Sequence, residues 1–134
     1  MLTHLRIHNF AVISELELDL NAGYTVLTGE TGAGKSILVD ALGLLLGNSG
    51  SDDLVRNGQE FALIEGHFRL SHLNGEIAEW VESDGRMVVL RKIVKGRPSV
   101  TRINGQSVPL KTLKTIMKDV IGITGQHEQM GLFD

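Results

Sequence analysis

The chain opens with alternating apolar and polar positions. Leu5 and Ile7 alternate with His4, Arg6 and His8, which predicts a strand over residues 2–8. Leu16, Leu18 and Leu20 then alternate with Glu15, Glu17 and Asp19. A second strand with one buried face follows, antiparallel to the first. Asn21, Ala22 and Gly23 make a turn, and residues 24–28 form a short, mostly apolar strand suited to a buried parallel position. Residues 35–46 are apolar on nearly every face, Asp40 being the main exception, which predicts a buried helix. Residues 47–53 are rich in Gly, Ser, Asn and Asp and read as a mobile loop.

Strand patterning returns at residues 61–70. Ile64, Gly66, Phe68 and Leu70 share one face, with Glu65, His67 and Arg69 on the other. A short helix over residues 76–82 and a strand over residues 86–94 follow. Residues 99–103 run into Asn104-Gly105, a tight-turn signal. Ser107 is expected to cap a helix with Pro109 in its first turn. The core face of that helix is Leu113, Ile116, Met117, Val120 and Ile121, and Ile123 with Thr124 is expected to open a last strand. There is no repeat, low-complexity tract or linker. The prediction is one α/β (α+β) domain over residues 1–134, a mixed sheet with an antiparallel portion around a strand–loop–helix unit.

Composition adds little to that picture: 134 residues, 42% hydrophobic and 22% charged, describe an ordinary globular domain. The lack of cysteine removes disulfide frameworks and thiolate metal sites. No signal peptide or membrane span is legible, so no membrane association and a reducing, cytoplasmic setting are expected. Charge changes the picture more. Residues 1–67 hold three Lys/Arg against nine Asp/Glu, a balance of −6, and residues 68–134 hold ten against seven, a balance of +3. Arg91, Lys92, Lys95 and Arg97 cluster on a strand and turn, and Lys111, Lys114 and Lys118 make a stripe on the last helix. Such groups are more often a solvated surface, but they also suit phosphate neutralisation on nucleic acid.

The strongest chemical signal is Gly29, Glu30, Thr31, Gly32, Ala33, Gly34, Lys35 and Ser36, which fits G-x-x-x-x-G-K-[ST] completely, with a strand before it and a helix after it. Glycines let main-chain N–H groups close on phosphate oxygens, and the helix points its positive end at the same anion. Lys35 would reach the β- and γ-phosphates, and the Ser36 hydroxyl would bind Mg²⁺.

The acidic partner that such a loop needs is harder to find. Glu65, after Phe61, Ala62, Leu63 and Ile64, is the one plausible strand-terminal acid after the loop. Taken so, it would serve a self-contained P-loop kinase or small NTPase. The alternation through Leu70 instead places it mid-strand on a polar face. His127-Glu128 starts like a zinc-protease helix, but Gly131 stands where the second histidine is needed. His4, His8, His67 and His72 show no ligand spacing.

Five segments in order, LRIHNFAVISELELDL, TGETGAGKSILVDALGLLLG, DDLVRNGQEFALIEGHF, RINGQSVPL and ITGQHEQ, closely resemble the N-terminal region of the RecN family of bacterial DNA double-strand-break repair proteins. That family lies in the SMC-like group of ABC-type ATPases. The resemblance spans nearly the whole chain. It implies a split ATPase head. An N-terminal lobe carries the phosphate loop and a glutamine loop, and a long coiled coil follows. A C-terminal lobe then brings the acidic Mg²⁺ strand, the catalytic glutamate and a signature motif. Two heads sandwich ATP. No heptad run or S-G-G is present here, so the resemblance makes this the N-terminal lobe, without the coiled coil and C-terminal lobe.

Carried onto this chain, Gly29 through Ser36 bind ATP, and Gln126 matches the glutamine that contacts Mg²⁺ and the attacking water. Arg56 matches an arginine near nucleotide or DNA, and Asn9-Phe10 matches the family's opening strand. The implied cofactors are ATP and Mg²⁺. The implied partners are the C-terminal lobe, a second head in a homodimer, and DNA, in a nucleoid-associated cytoplasmic setting. A non-catalytic nucleotide-sensing or dimerisation module is a third reading.

Overall fold

A computed structural model describes residues 2–20, 32–70, 77–82 and 84–124. Strands β1 (Leu2–Phe10), β2 (Ile13–Asp19), β3 (Phe61–Arg69), β4 (Arg86–Val94), β5 (Val100–Ile103) and β6 (Gln106–Ser107) form one sheet. Its order is β2-β1-β3-β4-β5-β6, and every described pairing is antiparallel. Helices α1 (Gly32–Leu45), α2 (Ile77–Trp80) and α3 (Leu110–Thr124) complete an α+β arrangement. The expected turn at residues 21–23 and the parallel strand at residues 24–28 lie outside the described residues.

The apolar alternation selects which sheet face is covered. Ala62, Ile64 and Phe68 of β3 are buried with Met87, Val89 and Ile93 of β4 and Ile103 of β5. Leu113, Ile116, Met117 and Val120 of α3 close over the same core. Burying each such side chain contributes roughly 1.5–3 kcal/mol, so this layer is the main source of stability. Helix α1 joins it at Gly66, where a Cβ would lie 2.6 Å from Leu45 Cδ1. The glycine on this face is therefore an approach point for the helix.

In β1 the buried residues are Leu2, Leu5, Ile7 and Phe10, so regular alternation holds only between Leu5 and Ile7. The register against β3 slips between Leu2 and His4, which is a bulge, and Asn9 takes φ +54. Each irregularity turns the next apolar side chain back to the core.

Several expectations need correction. Ser107 does not cap α3. It pairs with Arg102 in β6, and the helix instead closes its first turn on the Pro109 carbonyl, which accepts from Thr112 N at 3.0 Å and Leu113 N at 3.2 Å. Ile123 and Thr124 continue α3 rather than opening a strand. Their spacing from Val120 extends the helical period, which outweighs local β preference. Helix α1 is not buried all round, because Val39 is 52% exposed and Ser36 and Asp40 also face solvent. Residues 47–53 have specific partners. Gly47 lies against the Lys114 backbone, the Asn48 carbonyl accepts from Arg91, and an Asp52 carboxylate oxygen accepts from Gly96 N at 3.1 Å.

Candidate nucleotide-binding site

Helix α1 begins inside the glycine-rich motif. Gly32, Ala33, Gly34, Lys35 and Ser36 form its first turn, which contains no acidic residue. The first four N–H groups of a helix have no acceptor of their own, and the aligned peptide dipoles make that end positive. Ser36 is exposed there. An exposed hydroxyl beside open amides fits a phosphate and its Mg²⁺. Gly29, Glu30, Thr31 and Gln126 lie outside the described residues, and the Lys35 side chain is likewise not described.

Glu65 is mid-strand. It stands opposite Arg6 on β1 and Leu90 on β4, with one carboxylate oxygen 3.6 Å from His67 Nε2. Its neighbours Ile64 and Gly66 point into the core under α1, so Glu65 points away from that helix. A carboxylate on the far face cannot reach a metal at the start of α1, and the self-contained kinase reading is not favoured.

Arg56 acts on the turn between β1 and β2. Its guanidinium Nη1 donates to the Val12 carbonyl at 2.6 Å, and its backbone N–H donates to the Asn9 carbonyl at 2.9 Å. Ala11 N donates to the Leu54 carbonyl at 2.7 Å, and Phe10 bridges Val55. A 3-10 turn at Asp52–Leu54 leads into this contact. Asn9-Phe10 is thus part of a strand end held from outside, with Phe10 fully buried.

The basic cluster of β4 does not survive as a unit. Arg91 lies on the core face at 0% exposure, and Lys92 lies on the other face with its ammonium 4.5 Å from the Phe61 ring centroid. Adjacent strand residues point to opposite faces, so the run Arg-Lys divides by geometry. Arg91 Nη1 donates to the Leu44 carbonyl at 2.6 Å and to the Asn48 carbonyl at 2.9 Å. Burial pushes its pKa below the usual arginine value. Lys95 and Arg97 are exposed in the turn after β4. Lys111, Lys114 and Lys118 are exposed on α3, which covers the opposite face of the sheet from Lys92. Among the described residues no group of three or more His, Cys, Asp or Glu is placed to hold a metal, and no helix is long and apolar enough to cross a membrane.

An AAA domain family profile matches residues 4–129. The chain belongs to the AAA domain family. It is also similar to the DNA repair protein RecN, which bears out the resemblance in the sequence. Identity is 45% to RecN of Halalkalibacterium halodurans and 42% to RecN of Vibrio cholerae, in each case across 98% of this chain. The chain spans 24% of the length of those relatives. Solved structures agree on the fold. An SMC ATPase, solved in work on ATP-driven dimerization and DNA-stimulated activation, superposes with a TM-score of 0.67 at 20% identity, covering 87% of this chain and 77% of that one. The recombination mediator protein RecF superposes with a TM-score of 0.64 at 17% identity, covering 84% and 29%. The chain therefore has the fold of part of an SMC- or RecF-type ATPase head, its N-terminal lobe.

Of the residues chosen from sequence, the structure places Gly32 through Ser36 together at one helix end and gives Arg56 a partner on the β1–β2 turn. Arg91 is the residue whose position was misjudged. A lone Arg between Leu90 and Lys92 carries no burial signal of its own.

Proposed function

We propose that this chain is the ATP-binding, N-terminal lobe of an SMC-like ATPase that acts in DNA double-strand-break repair and recombination. The observation that carries the proposal is the complete G-x-x-x-x-G-K-S motif running into a helix whose first turn carries no acidic residue, in a chain 45% identical to RecN. The backbone amides of the first turn of α1 and the ammonium of Lys35 bind and orient the β- and γ-phosphates. The Ser36 hydroxyl and the Gln126 side-chain carbonyl oxygen hold the metal, and Gln126 also aligns the attacking water. Mg²⁺, when bound, neutralises charge on the phosphate oxygens. Arg56 has guanidinium donors beyond the one engaged with Val12 and takes a nucleotide or DNA phosphate with them.

The acid that activates water comes from a C-terminal lobe of the same protein. A second head closes on ATP from the opposite side in a homodimer, with DNA as the partner of the whole assembly in the nucleoid-containing cytoplasm. The placement of Glu65 on the far sheet face supports this division, because no described acid within the chain points toward α1's face from that strand. The lobe alone is then a nucleotide binder with negligible turnover.

The test is Mg²⁺-dependent binding of a fluorescent ATP analogue to this chain and to Lys35→Ala. Loss of about tenfold or more in affinity is expected when the phosphate-binding ammonium is removed. Equal affinity in the two proteins would exclude the site.

A further inference from the structure

Arg91 is the one charged side chain that is fully buried among the described residues. It sits on β4 between Val89 and Ile93 on the face that carries α1. Its Nη1 serves two carbonyls, Leu44 in the last turn of α1 and Asn48 just beyond it. The backbone there folds back on itself, with Asn48 N donating to the Gly43 carbonyl at 3.0 Å and Gly47 N to the Leu44 carbonyl at 3.2 Å. The other two guanidinium nitrogens, Nε and Nη2, are buried without a partner.

For stability alone this is a poor arrangement. A buried cation with open donors is costly to desolvate, and an apolar side chain of similar volume is often as stable or more so. What an apolar side chain lacks is direction. The side chains that α1 packs into the core, Ala41, Leu42, Leu44 and Leu45 with Ile37 and Leu38 beside them, are apolar, and such contacts are non-directional and tolerate sliding. Among the described residues, the Arg91 bonds are the side-chain hydrogen bonds that join the sheet to this helix end. They also place a cation at the negative end of the helix dipole.

We propose that Arg91 is a positioning residue for the nucleotide site. By gripping the C-terminal carbonyls of α1 it sets the helix's axial position on the sheet, and with it the place where the first turn meets phosphate. This rests on the nucleotide-binding reading above. A helix of 14 residues is a rod of about 20 Å, so a shift at Leu44 is carried to Gly32 at the other end. Misplacement by a fraction of an ångström to an ångström is enough to weaken interactions with a precisely seated anion.

The experiment compares Mg²⁺-dependent binding of a fluorescent ATP analogue in the parent chain, Lys35→Ala, Arg91→Met and Arg91→Gln, well below each protein's melting temperature. Thermal melts are recorded in parallel. Arg91→Met and Arg91→Gln are expected to bind about tenfold more weakly than the parent while remaining folded. If both keep the parent's affinity and only their melts move, Arg91 is a packing residue and the proposal is overturned. Arg91→Gln retains a donor and is the milder change, so it decides by the same criterion if Arg91→Met does not fold. Failure of the parent to bind, or binding by Lys35→Ala equal to the parent's, counts against the nucleotide reading itself.

Discussion

Two turns among the described residues put non-glycine residues into left-handed backbone, and they are built in opposite ways. At residues 104–105, Asn104 has φ +49 and Gly105 φ +85, the residue pair and geometry of a two-residue hairpin turn. At residues 9–12, Asn9 has φ +54 and Ala11 φ +52. Alanine has no side-chain reason to adopt that conformation, which costs roughly 1–2 kcal/mol. The first turn is what its residues prefer. The second exists because Arg56, Leu54 and Val55 hold it from a segment more than forty positions away. Asn104 then adds a second duty. Its side-chain oxygen accepts from Val88 N at 2.8 Å and its side-chain nitrogen donates to the Trp80 carbonyl at 2.6 Å, so a locally favoured turn also ties β4 to α2.

The largest effect is expected at Asn104. Asn104→Ala removes both side-chain bonds, leaves Val88 N and the Trp80 carbonyl unpaired, and forces alanine into the left-handed region. Together these cost about 3 kcal/mol, read by urea denaturation. A loss under about 1 kcal/mol would mean that water replaces Asn104 freely, and the turn would then be local in every respect.

Arg56→Met comes next. It removes the charged donor to the Val12 carbonyl while keeping most of the side chain's bulk, and about 1.5 kcal/mol is expected from the same measurement. The change should be accompanied by faster amide exchange at Ala11, whose N–H bond to Leu54 depends on the same docking. Unchanged exchange would show that the Phe10–Val55 bridge holds the turn without Arg56.

Ala11→Gly gives the smallest effect and the opposite sign. Relief of the left-handed strain exceeds the added freedom of the unfolded chain, for a gain of about 0.5 kcal/mol. A loss instead of a gain would mean that the alanine methyl group packs usefully against the partly covered edge of the core, and the contrast between the two turns would narrow.

Legibility followed the same division. The faces of β3 and the bounds of β4 were readable because alternation is a local signal and both strands have one buried side. The core stripe of α3 was readable at Leu113, Ile116, Met117 and Val120 for the corresponding reason at helical period, while the Ile121 side chain lies outside what the structure describes. The start of α1 within the glycine-rich motif was readable because its signal is local, a turn of small residues feeding a helix N-terminus. The all-round apolar reading of α1 failed at Val39, and the basic cluster failed at Arg91, because burial of a given side chain depends on what lies across from it. Ser107 had the right composition for a cap, but pairing with Arg102 took it into β6.

The order of apolar and polar residues by itself determined most of the described strands and both longer helices, since each is set by interactions a few residues long. Only the tertiary structure decided that Glu65 faces away from α1, that Arg56 holds the β1–β2 turn, and that Arg91 is enclosed at the C-terminal end of α1. Those outcomes come from strand register and helix docking across long sequence separations. They are fixed by the packing of two faces against each other and not by any property of the residues on their own.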